Sequence, residues 1–440
     1  MEQIKNLNGI SKGKLSSFIT SFLESIPGCK KVLVIFPDYT RTDFTDRIAP
    51  LIAEKFLSQN GASVDFLNAG GTHRKMQDAE ISKKLGFFKK PAGSTYYNHN
   101  FDDSKSLKTI GKISKTLVSK KTGGYLNEDI DVTVNRLVLS GYDIIIALSS
   151  TAPHEAAGYS GGLKVFFPGI SGPEVIDLFH WAAVLIGLGS IIGTVENEPR
   201  DLINAGSEVI FKNISAQVYS FNMVCAEKEN NVVPAGLFIG SGYEGFIKCY
   251  REACALSRKI HVKYIDAPLE RVVQQMPDNY DEIWTAAKGS YKLQRPGVLS
   301  PGAEVIIYAP HVSVLHSNEK MQHELYSLGY HCRDYVCRKL EGGINVSKNA
   351  AAHVINASGP GTYDSLTGSE TKSFKLTLAT AITERECRRL GLGYMDPKSL
   401  KKYDFLSPGS LWIEDGGKYL YEIKKKNKKP EVLNEDKFKR

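Results

Sequence analysis

The chain reads as an α/β protein of two domains, and three observations predict this. Short runs rich in Val, Ile and Leu alternate with stretches of helical periodicity along most of its length, which is the pattern of parallel βαβ units. Several of these runs, Ile144–Leu148 among them, are apolar without interruption, as strands covered on both faces are. With 440 residues, 42% of them hydrophobic, the chain can also build two sizeable cores.

In chain order, the first strands are Lys31–Phe36, Val64–Asn68 and Asp143–Leu148. Helices are expected at Asp46–Leu57 and at Gln77–Leu85, the second closed by Gly86 in the position that favours a left-handed residue. Leu237–Ile239, His261–Ile265, Val305–Tyr308 and Val354–Asn356 read as later strands. Ala-Pro within Asp266–Glu270 interrupts the pattern and sets the domain division. Residues 1–265 form the first domain, 266–396 the second, and 397–440 a looser extension with a basic tail.

Composition excludes several function classes. Of the net charge of +8, five units fall between Lys424 and Arg440, so the excess is a polar tail and not a basic stripe that would track nucleic acid. No run reaches the roughly 18 apolar residues of a membrane span, and MEQIKNLNGISKGK lacks the apolar stretch of a secretory signal. A cytoplasmic protein is expected. Seven scattered cysteines without a C-x-x-C pair read as reduced thiols.

Open α/β sheets bind ligands beyond the carboxyl ends of their strands, and the first three such loops are rich in chemistry. After Phe36 come Asp38, Thr40 and Arg41; after Asn68 come Gly70, Gly71, Thr72, His73 and Arg74. After Leu148 comes a long loop holding His154, Ser160, Gly161, Gly162 and Lys164. Gly-Gly-Thr ahead of a helix offers backbone N–H groups to an anion. Ser-Gly-Gly lets backbone approach a ligand closely, and Lys164 reads as a phosphate counter-charge or a nucleophilic amine. Of ten histidines, His73, His99, His154 and His180 fall in or just after these loops. Imidazole titrates near neutrality and is the commonest transition-metal ligand, so proton transfer beside a metal is one chemistry they suit.

Asp38–Arg41, Gly71–Arg74, Asn98–His99, the run from His154 to Gly172 and finally His180 together resemble the nickel-dependent lactate racemase family over roughly residues 30 to 290. The resemblance implies Rossmann-like sheets with helices on both faces and an active site in the interdomain crevice. It also implies a nickel-pincer nucleotide cofactor, with His180 as the protein ligand to nickel and Lys164 as its covalent attachment point. Asp38, Thr40, Gly71, Thr72, His73, Arg74, Ser160, Gly161 and Gly162 would line the cofactor. His99 and His154 match the two acid/base histidines, Arg41 the holder of the substrate carboxylate, and Lys288 a second-domain lysine closing over it. Implied partners are a small 2-hydroxy acid and the enzymes that synthesise the cofactor, with neither nucleic acid nor membrane.

Thr42, Leu163, Trp284 and Thr285 depart from the family pattern, and Trp412 has no comparable context. Trp284 and Thr285 would line the substrate pocket, so the expected substrate is a larger 2-hydroxy acid or a sugar acid in place of lactate. Read without the resemblance, Gly240-Ser-Gly242-Tyr-Glu-Gly245 after an apolar run, with Asp266 about twenty residues on, suggests an NAD-dependent oxidoreductase. The same residues also fit a zinc hydrolase with His99, His154 and His180 as ligands, or a non-enzymatic carrier of a nucleotide or metal.

Overall fold

The computed structural model describes residues 1–59, 61–71, 74–229 and 231–424. The first sheet is built from β1 (Glu2–Lys5), β2 (Lys31–Pro37), β3 (Ser63–Ala69), β4 (Tyr96–Asn98), β5 (Ile144–Ser150), β6 (Gln217–Lys228) and β7 (Asn231–Ser241). Their spatial order is β1-β7-β6-β5-β2-β3-β4. From β6 to β4 all pairings are parallel, with Ile146 of β5 opposite both Val34 of β2 and Tyr219 of β6. The chain steps from β2 to β3 on one side, then returns to place β5 on the other side of β2. This reversal opens a crevice beyond the carboxyl ends of β2 and β5.

The apolar runs alternate between two cores. Leu33 and Ile35 face one, while Val32, Val34 and Phe36 face the other. Both faces are covered by helices, including Thr45–Leu57 and Glu198–Asn213, which explains the uninterrupted hydrophobicity of β2 and β5.

The second sheet comprises β8 (Leu269–Gln275), β9 (Leu299–Ala309), β10 (Phe374–Thr380), β11 (Gly393–Tyr394) and β12 (Ser410–Ile413), in the order β11-β10-β9-β8-β12 and parallel throughout. Two helices join the halves of the molecule. α1 (Pro173–Ile186) starts at Gly172 with proline in its first turn, and α2 (Lys348–Ser358) starts at Ser347, whose hydroxyl accepts from the Ala350 N–H at 3.1 Å. They pack against each other across the domain boundary. Among the described residues, no helix is long and apolar enough to cross a membrane.

Three expectations change. Val354–Asn356 is not a strand but part of α2, whose residues from Asn349 to Ser358 are all buried. A short apolar run is compatible with either a buried strand or a fully buried helix, and the cap at Ser347 decides for helix. The described part of 397–440 is no loose extension. Phe405 is buried on the far face of the second sheet, β12 pairs with β8, and Leu420–Ile423 pairs with Val262–Ile265. Four-residue strands with partners 139 and 158 residues away leave little local signature. The basic tail from 425 onward lies outside the described residues.

The glycine fingerprint is also displaced. β7 runs antiparallel to β6, so Ser241 lies opposite Tyr219 near the start of β6, at the end of the sheet remote from the crevice. A Cβ on Gly240 would sit 2.8 Å from the Gly245 carbonyl oxygen and from Cys249 Sγ, so these glycines serve close packing of β7 on the helix Gly242–His261. Val262–Ile265 does not lie beside β7 either, and the dinucleotide reading loses its βαβ setting.

Where glycine is required by geometry, substitution should be costly. Gly158, in the turn between His154 and Ser160, has φ +75°, and a Cβ there would lie 1.9 Å from the Thr194 carbonyl oxygen. Gly158→Ala is expected to lose at least about 2 kcal/mol of stability, read as a lower urea midpoint at unchanged m-value.

Candidate active site

The crevice is lined from both domains. Asp38 and Arg41 come from the loop after β2, Gly70 and Gly71 from the loop after β3, and His154, Glu155 and Lys164 from the loop after β5. α1 contributes Ile176 and His180, one turn apart. The second domain supplies Trp284, Lys288 and Tyr291, and from α2 Asn349, Ala352, His353 and Asn356. Those four positions, at i, i+3, i+4 and i+7, form one helical face.

Each loop is shaped by local bonds. The Thr40 N–H donates to Asp38 Oδ1 at 2.8 Å and its hydroxyl donates to the same oxygen, which folds the turn and leaves Arg41 Nε 4.0 Å from Asp38 Oδ2. Thr40 itself does not line the cavity. Ser160, Gly161 and Gly162 are not among the residues that line the cavity. The Ser160 hydroxyl donates to the Ser150 carbonyl at 2.8 Å, and a Cβ on Gly161 would meet Thr151 Oγ1 at 2.7 Å and Asn222 Oδ1 at 2.8 Å. A Cβ on Gly162 would lie 3.1 Å from the Tyr250 ring. The tight turn they form delivers Lys164 into the crevice. Buried Arg200 holds this loop, donating to the Tyr159 carbonyl while its guanidinium lies 3.9 Å from the centre of the Tyr250 ring.

Arg74 points away from the cavity, paired with Glu80 at 2.7 Å and stacked 4.4 Å from the Tyr39 ring centre. Thr285 donates to the Glu282 carbonyl at 2.9 Å and does not line the cavity. Trp412 bonds Gln275 Oε1 at 2.9 Å in the second sheet. Thr72 and His73 lie outside the described residues.

The histidines separate into distinct environments. His180 Nδ1 donates to the Ile176 carbonyl at 2.8 Å, which leaves the Nε2 lone pair without a partner among the described residues, and burial brings its pKa down to about 4. A neutral ring with one nitrogen anchored and the other open is the form that binds a metal. His154 Nδ1 accepts from the Ala156 N–H at 3.1 Å and lies 3.6 Å from Glu155 Oε2. Burial, helped by the charges of Lys164, Arg41 and Lys288 and opposed by Glu155, holds it well below the usual imidazole range.

His99, expected in the same crevice, is not among the lining residues. Its Nε2 is 3.0 Å from the Ser171 carbonyl, its Nδ1 is 3.2 Å from Asn135 Nδ2, and only 4% of it is exposed. It braces the α1 approach loop from behind. Among the described residues no cluster of three His, Cys, Asp or Glu side chains could hold a metal, so the three-histidine zinc site is not formed.

The Lys164 amine has no hydrogen bond or ion pair among the described residues and lies 5.9 Å from the Phe179 ring centre. Burial first, then the Arg41, Arg200 and Lys288 charges, bring it down to about 8 against the pull of Glu155. Lys288 Nζ is 3.8 Å from Glu155 Oε1 and 5.6 Å from the Trp284 ring centre.

Sequence reasoning missed Glu155, Tyr291, His353, Asn349 and Asn356. His353 is wedged between the Tyr291 hydroxyl at 2.9 Å from Nδ1 and the Tyr330 hydroxyl at 3.1 Å from Nε2, and its ring lies 4.2 Å from that of Trp284. It therefore supports Trp284 and has no nitrogen left for proton transfer. The missed α2 residues share helical spacing, but that signal appears only once the stretch is read as a helix.

Residues 19–188 match the family model described as the lactate racemase N-terminal domain. The lactate racemase of Thermoanaerobacterium thermosaccharolyticum is 28% identical over 184 residues, 41% of this chain and 40% of that protein, so the match spans well under half of the curated relative. A Thermotoga maritima protein of known crystal structure is 46% identical with a TM-score of 0.91, covering 96% of this chain and all of that one (100%). The lactate racemase apoprotein structure from T. thermosaccharolyticum shares the fold, with a TM-score of 0.67 at 18% identity over 94% of each chain.

Buried neutral histidines make stability depend on acid. His99, His180 and His261 are held near 4 by burial, whereas the unfolded chain takes up these protons near 6.5. The unfolded state thus binds more protons between the two values, and stability falls as pH drops from 6.5 toward 4. His261→Gln, outside the crevice, should flatten the pH dependence of the urea-unfolding free energy in that window by up to about 1.4 kcal/mol per pH unit, the slope for one proton.

Proposed function

We propose that the chain is a member of the lactate racemase family, whose N-terminal domain its residues 19–188 match, and that it inverts the C2 stereocentre of a 2-hydroxy acid using a nickel-pincer nucleotide. The observation that carries this reading is the convergence of Lys164, His154 and His180 with Arg41 and Lys288 on one crevice between two domains. The rings and amines suit the cofactor. His180 offers a neutral nitrogen without a partner among the described residues, Lys164 an unpaired amine of lowered pKa, and Gly71 an open backbone stretch with no atom within 4 Å of a Cβ. A single protein nitrogen suffices where the cofactor's own sulfur and carbon atoms complete the metal's coordination. When bound, the group supplies the acceptor and donor for the C2 hydrogen and its electron pair.

The chain's own residues do the rest. Arg41 from the first domain and Lys288 from the second hold the carboxylate, so the substrate pivots about a fixed end. His154 takes the proton of the 2-hydroxyl as the planar 2-keto acid forms, then returns it after hydrogen comes back to the other face. Glu155, between His154 and Lys288, ties the position of the base to that of the second-domain lysine. Closure of the second domain over the crevice keeps the keto acid from escaping. A cytoplasmic setting, where the cofactor-synthesis enzymes would act on it, belongs to the same proposal.

Protein from a host that makes the cofactor should contain nickel and interconvert the enantiomers of a 2-hydroxy acid, as seen by chiral chromatography. Protein from a host without the synthesis enzymes should be inert. His180→Ala should lose nickel, whereas His154→Ala should keep it and lose roughly 10²–10⁴-fold in turnover. His99→Ala should lose about 1–3 kcal/mol of stability, because Asn135 and the Ser171 carbonyl are left unpaired, yet retain more turnover than His154→Ala. Activity restored by NADH alone, or inversion without nickel, would sink the proposal.

A further inference from the structure

One cation beside the crevice serves neither a carboxylate nor the cavity itself. Lys292 belongs to the segment Ala287–Leu293 of the second domain, which also carries Lys288 and Tyr291. Its ammonium donates to the Pro153 carbonyl of the first domain and makes no other hydrogen bond and no ion pair among the described residues. Lys292 is not among the residues that line the cavity. Burial, reinforced by the Arg41 and Lys288 charges and opposed by Glu155, brings the amine down to about 8. Taking an ammonium out of water for a single neutral acceptor is costly, and an apolar residue of similar length would hold two domains together better. Cohesion alone does not account for this contact.

The acceptor sits immediately before the proposed base. Proline has no N–H, so its carbonyl is the one backbone group by which another residue can hold that position. The Pro153 carbonyl and the His154 N–H share one planar peptide unit. Whatever fixes that carbonyl therefore fixes the backbone from which the His154 ring projects. Ala152, one residue earlier, is held from within the first domain: its N–H donates to the Ser160 hydroxyl at 3.0 Å, and its carbonyl accepts from the Ser160 N–H at 2.9 Å. On the far side of His154, the Glu155 carboxylate lies 3.8 Å from Lys288 Nζ. Pro153 and Glu155, which flank the base, are thus both met from the second domain, by lysines four residues apart in one short helical segment. Lys288 is also the residue assigned above to the substrate carboxylate.

Resting on the racemase reading above, we infer that Lys292 is a positioning residue for proton transfer, which orients His154 through the Pro153 carbonyl. Because Lys292 and Lys288 share one segment, closing the second domain sets the base and the carboxylate anchor in a single movement. The Lys292 amine exchanges no proton with the substrate: the 2-hydroxyl proton goes to His154 and returns from it.

The test compares Lys292→Met, which keeps the length and loses the donor, with Lys292→Arg, which keeps a donor. Turnover of nickel-loaded enzyme is followed on whichever of lactate, malate and gluconate the wild type inverts fastest. Lys292→Met should lower kcat about 10- to 100-fold, with KM within about threefold of wild type and nickel per chain unchanged, because Arg41, Lys288 and His180 remain. Lys292→Gln, whose shorter amide withdraws the donor without making the site apolar, should show the same split. Lys292→Arg should return kcat to within about threefold of wild type. If Lys292 acts through the base, Lys292→Met should cost nothing further in a His154→Ala background, whereas a general structural role would slow both backgrounds alike. In protein without cofactor or substrate, nitrogen-15 spectra of labelled histidines should show the His154 signals displaced in Lys292→Met and those of His99 and His180 unmoved. A raised KM at unchanged kcat, a further loss in the His154→Ala background, or unmoved His154 signals would overturn the inference and leave the racemase reading intact. Failure of the loaded wild type to invert any of the three acids would instead count against the racemase reading itself.

Discussion

The packing of α1 against α2 is the contact on which the rest of the molecule depends. α1 belongs to the first domain by connection, yet Val184 joins the core of the second domain, and Trp181 packs against both cores. α2 is rich in alanine and buried along its length, so its backbone can approach α1 closely. This contact sets His180 on one wall of the crevice and Asn349, His353 and Asn356 on the other. From the second domain, the segment carrying Trp284, Lys288 and Tyr291 completes the described lining of the crevice.

Electrostatics in the crevice follow from its burial. Arg41, Lys164 and Lys288 share the crevice with two carboxylates among its described lining residues, Asp38 and Glu155. Lost solvation first, then like charges, depress Lys164 to about 8, while His154, Lys288 and Lys292 hold Glu155 well below the ordinary carboxylate range despite its desolvation. A cavity with surplus positive charge is disposed toward anionic ligands, which suits both a phosphate-bearing cofactor and a carboxylate substrate. Lys292 extends the pattern: buried and brought down to about 8, it donates from the second domain to the Pro153 carbonyl, immediately before His154. The His154 loop is thereby gripped on both sides by lysines one helical turn apart.

Glycine-rich motifs played different parts from those their sequence suggests. Ser160-Gly161-Gly162 looks like a phosphate cradle, but its glycines are needed because Thr151, Asn222 and Tyr250 leave no space for side chains. Gly240–Gly245 looks like a dinucleotide turn, but its strand runs in the wrong direction relative to the parallel set. In both cases the local need for glycine was correctly read and its cause was a close approach of protein to protein. Motif spacing reports backbone geometry, and only the surroundings tell whether a ligand or a neighbouring element imposes it.

Read alone, the chain determined its α/β class, the strands β2, β3, β5 and β9, the loops that end in Arg41, Gly71, His154 and Lys164, and the resemblance that residues 19–188 bear to the lactate racemase N-terminal domain. These are local or nearly local properties: hydrophobic period, helix caps and short motifs. Tertiary structure alone decided that His99 is braced between Asn135 and Ser171 outside the crevice, that residues 354–356 are helical, and that the segment after Pro397 completes the second sheet. It also brought Asn349 and Asn356, some 170 residues from His180, to face it. The physical reason is the same in each case: burial, strand direction and long-range pairing arise from contacts between distant segments, which residue order constrains but does not display.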